Sequence, residues 1–340
     1  MCGLAGFLGG RPWPSSTGAH ELLRCMGDAI ASRGPDGSGI WQDAAGIGLV
    51  HRRLAVLELS PAGEQPMISA CGRYVIAFNG EIYNHLELRA ELDRGAASVM
   101  TTFGNRVVEN LAPSDGLKRQ IRYVSSVSWR GNSDTETLLA GFSAWGIRAT
   151  VERCVGMFAF AVWDRAEHML VLGRDRLGEK PLYYGWQGRG DAACFLFGSD
   201  LAALRMHPAF AEDIDRAALC LYVRHNYIPA PYSIYKGFHK LPPGHLLTVS
   251  LARREPSVQP YWSLTQVAER GALAPFTGTD TEAVDALEEM LRTAVRQQMV
   301  ADVPLGAFLS GGIDSSTVMA LMQAQSSQRV KSFTIGFDEQ

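Results

Sequence analysis

At 340 residues, 46% hydrophobic and 20% charged, the chain is long enough for two domains and ordinary for a globular protein. A net charge of −3 with no basic run argues against a nucleic-acid surface, and no stretch of ~18 apolar residues offers a bilayer span. The six cysteines (Cys2, Cys25, Cys71, Cys154, Cys194, Cys220) lack C-x-x-C or Cys/His metal spacing, and Arg11-Pro12 interrupts any signal-peptide pattern, which predicts reduced thiols in a soluble cytoplasmic protein.

Chemistry begins at Met1-Cys2-Gly3. Removal of the initiator methionine would leave Cys2 with a thiol and a free α-amine, whose ordinary pKa of roughly 7.7–8.0 makes it a base near neutral pH. One residue then supplies nucleophile and proton acceptor. Beyond it, apolar runs at Ile47–Val50, Arg73–Phe78, Met157–Trp163, Met169–Gly173 and Cys194–Gly198 read as strands. Helices are expected at Glu21–Ala31 and Ser133–Trp145, the second opening on the capping-box pattern Ser133-Asp134-Thr135-Glu136. Many strands with few intervening helices predict stacked, largely antiparallel sheets flanked by helices, an α+β pattern.

Residues 95–131 show no sustained periodicity and read as an irregular insertion. Prolines at 229, 231, 242 and 243 mark 213–280 as a connecting segment containing one short helix, Ala217–His225. The pattern then changes to a long helix over Thr281–Val300, a strand at Leu305–Leu309, a loop at Ser310–Asp314, a helix at Ser315–Gln323 and a strand at Lys331–Phe337. That is the opening of a doubly wound parallel sheet, too short to bury both its faces, so the sequence reads as a piece of a longer protein.

Phe78-Asn79-Gly80-Glu81-Ile82-Tyr83-Asn84 places an Asn amide beside a glycine N–H, two donors suited to a developing oxyanion, although Asn-Gly is equally a hairpin signal. Ser310-Gly311-Gly312-Ile313-Asp314-Ser315-Ser316 has the glycines and hydroxyls of a phosphate-cradling loop without the Walker A lysine. Arg174-Asp175-Arg176 and Lys180 read as contacts between domains, His51, His225 and His245 as structural residues, and Trp13 and Trp41 as packing residues.

Taken in order, Met1-Cys2-Gly3, Ser32–Gly37, His51–Val56, Asn79–Asn84 and Ser133–Glu136 resemble the N-terminal-nucleophile (class II) glutamine amidotransferase domain. Ser310–Ser316 resembles the pyrophosphate loop of asparagine synthetases, and the pairing, with Gly173–Tyr184 between, resembles the glutamine-hydrolysing asparagine synthetase family. The resemblance implies a four-layer αββα hydrolase domain over 2–212, with the 95–131 insertion, a connection at 213–280, and the start of an α/β PP-loop domain over 281–340. It implies Cys2, Asn79 and Gly80 as catalytic residues, and Arg53, Leu54, Ala55, Val56, Leu57, Asn79, Gly80, Glu81 and Asp134 as the glutamine-binding set. Leu309, Ser310, Gly311, Gly312, Asp314, Ser315, Ser316 and Ile335 would bind ATP, with Asp314 near magnesium or pyrophosphate. No protein-held metal site and no tightly bound cofactor are implied; ATP and Mg2+ act as co-substrates.

The implied reaction takes L-glutamine, L-aspartate and ATP to L-asparagine through β-aspartyl-AMP, giving glutamate, AMP and pyrophosphate. Nucleic acid and membrane are not among the implied partners, and a homodimer is left open. This piece is expected to hydrolyse glutamine at most. Two alternatives stay open: another carboxylate acceptor, as in surface-polysaccharide or β-lactam chemistry, or a non-catalytic fragment.

Overall fold

The computed structural model describes residues 1–9, 16–103 and 128–336, which divide into two compact units. Unit 1 comprises Met1–Leu54 and Ser60–Trp262; unit 2 comprises Ala55–Leu59 and Ser263–Gln340. Unit 1 begins with β1 (Gly3–Gly9), α1 (Ser16–Asp28), β2 (Gly37–Asp43), β3 (Ile47–Arg53), β4 (Met67–Ile68) and β5 (Tyr74–Ile82). It continues with α2 (His85–Phe103), α3 (Asp134–Trp145), α4 (Ile147–Arg153), β6 (Gly156–Asp164), β7 (Met169–Arg174) and β8 (Tyr183–Gln187). It ends with β9 (Cys194–Gly198), α5 (Leu201–Leu204), α6 (Arg216–His225), β10 (His239–Lys240), β11 (His245–Val249) and β12 (Ser257–Pro260).

Two antiparallel six-stranded sheets result, in the orders β10-β8-β9-β1-β3-β2 and β12-β11-β7-β6-β5-β4. Side-chain alternation along each strand decides what each face buries. Leu4 and Leu8 of β1 and Ile47 and Leu49 of β3 pack against Val75 and Ala77 of β5 and Ala159, Ala161 and Trp163 of β6, forming the core between the sheets. The opposite faces are covered by helices. Ala5, Phe7 and Val50 meet Leu23 and Met26 of α1 and Leu204 of α5, while Ile76, Phe78 and Phe160 meet Leu138 and Phe142 of α3 and Val151 of α4. Each fully buried Val, Leu, Ile, Phe or Met side chain among these contributes about 1.5–3 kcal/mol of transfer free energy. The layers therefore run α-β-β-α, as expected from the sequence.

Three expectations need correction. Residues 213–262 do not merely connect: β10 pairs with β8, and β11 inserts between β12 and β7, so this stretch completes both sheets. The irregular segment expected over 95–131 begins as helix, because α2, anchored by buried Leu88 and Leu92, continues to Phe103. Residues 104–127, like Trp13, lie outside the described residues, but Trp129 stacks under the Arg89 guanidinium at 4.1 Å. The capping box at α3 is half made. Ser133 accepts from the Glu136 amide (3.2 Å), whereas the Glu136 carboxylate accepts from the Arg130 (2.8 Å) and Gly131 (3.1 Å) amides, closing the preceding turn.

Unit 2 carries α7 (Leu264–Leu273), α8 (Asp280–Gln297), β13 (Gly306–Phe308), α9 (Ile313–Gln325) and β14 (Lys331–Phe333). A complete capping box, Thr279 with Glu282, starts α8. β13 and β14 pair in parallel across α9, the expected β-loop-α-β order. Among the described residues no helix is long and apolar enough to cross a membrane.

Candidate active site

Strand parity and register bring the first predicted site together. In β3, His51 and Arg53 share the inner-face parity of Ile47 and Leu49, and β1 pairs Leu4 with His51 and Gly3 with Arg52. One further step sets Cys2 beside Arg53, and the Cys2 thiol sits at the Leu54 backbone: the Leu54 amide donates to Sγ (3.3 Å) and Sγ donates to the Leu54 carbonyl (3.6 Å). Gly34 is required for this approach, since a Cβ there would lie 2.3–2.5 Å from the Arg52 carbonyl carbon and oxygen and the Arg53 nitrogen.

The facing strand is β5, and His51 ties the sheets together by donating from Nε2 to the Phe78 carbonyl (2.9 Å). Full burial pushes the His51 pKa down to about 4, so the ring is neutral, and its donation to a carbonyl fixes the proton on Nε2. The Phe78 amide donates to Gln65 Oε1 (2.6 Å), and the Ile82 amide donates to Asp134 Oδ2 (2.9 Å). Backbone groups of 78 and 82 therefore point away from β6. By the two-residue alternation of an antiparallel strand, the Gly80 N–H points to the same open edge. Beside it the Asn79 side chain is 1% exposed, and its Nδ2 has no hydrogen-bond partner among the described residues. Two neighbouring donors of β5 thus lie without an acceptor among the described residues. A side chain at position 80 is excluded, because a Cβ would sit 2.3 Å from the Met157 carbonyl oxygen.

Charge completes the site. Burial raises the Cys2 thiol pKa, opposed by the Leu54 contact, the terminal ammonium and Arg53, while Asp134 adds to the rise. Burial also lowers the pKa of the Met1 amine, helped by the positive charges of Arg33 and Lys180. Asp134 is buried on the first turn of α3 and pushed up to about 6 by desolvation, despite accepting from the Ile82 and Thr135 amides. Glu81 rises to about 7, through desolvation first and then the nearby Asp134 charge. Both carboxyls bind protons more tightly folded than unfolded, so the stability they confer is full near pH 4 and lost as pH rises through about 6 and 7. We expect the melting temperature to fall by a few degrees between pH 5 and pH 8, and Glu81→Gln to flatten that fall above pH 6. An unchanged slope in calorimetric scans of Glu81→Gln would remove Glu81 from this account.

Of the expected glutamine-binding run, Arg53 and Leu54 lie in unit 1, with Arg53 donating to the Ser60 carbonyl (3.4 Å). Ala55, Val56 and Leu57 group with unit 2, where the Asp302 amide donates to the Val56 carbonyl (2.9 Å) and the Asp302 carboxylate accepts from the Glu58 amide (2.7 Å). Sequence reasoning missed Gln65, which links the Phe78 amide to the Thr135 hydroxyl (3.2 Å) and so spaces Asn79 from Asp134. Lys180, read from the sequence as a contact between domains, lies buried within unit 1 and within electrostatic reach of Cys2 and Glu81.

The second predicted site occupies the loop after β13 in unit 2. Gly311 adopts φ +81°, a conformation open to glycine, and Gly312 starts α9 without any side-chain cap. Ser310 and Ser315 bond through their hydroxyls (3.0 Å), Ser315 donates to the Gly312 carbonyl (3.2 Å), and Ser316 and Asp314 lie in the first turn of α9. Leu309 donates to the Phe333 carbonyl (2.8 Å), which places it beside the end of β14, two residues before Ile335. These residues gather at the carboxyl ends of two parallel strands, where α/β sheets bind ligands.

Comparison with known proteins gives two family matches. A glutamine amidotransferase domain model matches residues 1–111 and 114–262, and an asparagine synthase model matches 286–340. Asparagine synthetase (glutamine-hydrolysing) 3 of Bacillus subtilis is 31% identical over 326 residues, covering 94% of this chain and 45% of that protein. Asparagine synthetase (glutamine-hydrolysing) 1 of the same organism is 29% identical over 341 residues, covering 100% of this chain and 46% of that protein. The chain thus spans about half the length of the curated relatives it matches. Because the first model runs through nearly all of unit 1, this chain belongs to the glutamine amidotransferase domain family.

Proposed function

We propose that unit 1 is a glutaminase and that the protein is a glutamine-dependent, ATP-consuming ligase that forms asparagine from aspartate. The observation that carries the first part is the pair of unanswered donors, Asn79 Nδ2 and the Gly80 N–H, across the sheets from the Cys2 thiol. With Met1 removed, the Cys2 α-amine takes the thiol proton as sulfur attacks the glutamine side-chain carbonyl. Carbonyl π electrons move onto oxygen, and Asn79 and Gly80 hold that oxyanion. The proton passes to the carboxamide nitrogen, the C–N bond breaks, and ammonia departs from a thioester. Water then cleaves the thioester to glutamate and restores the thiol. Arg53 holds the substrate α-carboxylate, and ionised Asp134, with Glu81, holds the α-ammonium.

The second part rests on the loop Ser310–Ser316 and on the printed names of the relatives. Loop amides and the α9 N-terminus would cradle the ATP phosphates, with Asp314 placed for the accompanying magnesium. Aspartate would attack the α-phosphorus to release pyrophosphate, and ammonia would displace AMP from the acyl adenylate. Two measurements test the glutaminase. Glutamate should be released from glutamine by this chain, and a glutamine-shaped diazoketone should alkylate Cys2, with loss of nitrogen, in competition with glutamine. Labelling elsewhere, or none, would overturn the assignment. Acceptor profiling of the longer protein, read as pyrophosphate release, would overturn asparagine formation if aspartate failed to support it.

A further inference from the structure

Lys180 has no part in the reaction above. It ends the turn that leaves β7 in one sheet and enters β8 in the other, and that turn is pinned from within. The fully buried Asp175 carboxylate accepts from the amides of Leu177 (3.1 Å), Glu179 (2.9 Å), Lys180 (3.0 Å) and Phe158 (3.2 Å). Phe158 is the register partner of Gly80, so one carboxylate fixes Lys180 relative to the oxyanion strand. The Arg174 guanidinium donates to the Lys180 (2.8 Å), Leu241 (2.7 Å) and Gly178 (2.5 Å) carbonyls, holding the turn from its other side.

The Lys180 side chain is buried, and its ammonium makes no hydrogen bond or ion pair with any described residue. Such a charge is costly unless an anion appears beside it. The groups in electrostatic reach are Cys2, the terminal amine, Arg33, Glu81, and the neighbouring Glu179 and Asp175. Glu179, the strongest neighbouring charge, forms no ion pair with Lys180 among the described residues, Asp175 is spent on four amides, and Glu81, poised about 7, is only partly ionised near neutrality. Gly198 of β9 pairs with both Ala5 of β1 and Tyr183 of β8, so Cys2 and Lys180, each three residues upstream, lie at the same end of that sheet, where the terminal amine, Arg33, Arg53 from β3 and Asp134 from α3 also face Cys2. With Arg53 engaged by a substrate carboxylate and the Arg33 Nε donating to the Cys2 carbonyl (3.2 Å), Lys180 is a side-chain cation free to answer charge on the sulfur.

We propose that the Lys180 ammonium, fixed by Asp175, is the counter-charge that stabilises the Cys2 thiolate. The inference rests on Cys2 being the nucleophile, and it makes Lys180 a positioning residue acting through the thiol. Its test is the pH dependence of Cys2 alkylation by iodoacetamide, read peptide by peptide because Cys25, Cys71 and Cys220 are also accessible. Lys180→Met should slow alkylation at pH 7 about tenfold and raise its pH midpoint by about one unit, while Lys180→Arg keeps the parent midpoint. Lys180→Gln, which keeps polarity, replaces Lys180→Met if the latter melts early. Parent and uncharged variant sharing one midpoint, with both folded, would overturn the proposal. Glutamate release is measured alongside. A shifted midpoint in a parent that releases no glutamate leaves the counter-charge standing and removes the glutaminase. An active parent with an unshifted midpoint does the reverse.

Discussion

Cys2→Ala should reduce glutamate release to the level of buffer, a loss of at least about 10⁴-fold in kcat, with little change in thermal stability. The two halves of that expectation have separate grounds. In the proposed reaction the thiol is the bond-forming atom, and it sits at the Leu54 backbone where β3 ends. Structurally the side chain does little: it is half-buried, contacts one backbone unit, and its hydrogen bond to the Leu54 carbonyl is long at 3.6 Å. Losing such a contact costs about 1 kcal/mol or less. A coupled dehydrogenase assay for glutamate, paired with a thermal melt, checks both. Residual turnover within tenfold of the parent would mean that another group attacks the carboxamide. On the proposed reaction, added ammonium salts should restore ATP-dependent amidation to the Cys2→Ala variant of a chain that carries a whole synthetase domain, because the thiol there serves to release ammonia.

Much of this site was legible because its chemistry is local in sequence. Cys2 is marked by its position, and Asn79-Gly80 by the adjacency of two donors. β5 and β6 were legible because long apolar runs buried on both faces are hard to mistake, and both prove to face a sheet on one side and helices on the other. What could not be read are residues whose role is set by a distant partner. Gln65 matters through Phe78 and Thr135, His51 through a carbonyl on the opposite sheet, and Lys180 through Asp175 and Phe158. No periodicity or spacing encodes such pairs. α2 was not read as a helix, its second half falling in the stretch taken as irregular, because Gly95, Val99, Thr101 and Thr102 weaken helix propensity; burial of Leu88 and Leu92 within unit 1 overrides that weakness. β10, β11 and β12 were lost among prolines, which edge strands and strand ends tolerate.

Asn79→Ala should lower kcat for glutamine hydrolysis by about 10²–10³-fold, the usual consequence of removing one oxyanion donor, with KM nearly unchanged. The split follows from timing: the donor meets full negative charge only when the carbonyl becomes tetrahedral, so it contributes little to binding glutamine. The sharper expectation concerns stability. A buried amide donor without an acceptor costs the folded protein about 1–3 kcal/mol of unrecovered hydration. Removing it should therefore leave the melting temperature unchanged or raise it while activity collapses. An asparagine held for structural reasons would show the opposite, because its loss would break bonds that the fold needs. Asn79→Asp separates the two readings further. It keeps the shape but puts an acceptor, and at neutral pH a charge, where the oxyanion forms, so turnover should fall below that of Asn79→Ala. Steady-state kinetics of the two variants with calorimetric melts decide the matter. A melting temperature lowered by several degrees in Asn79→Ala, with kcat within threefold of the parent, would show that the buried amide serves the sheet and not the reaction.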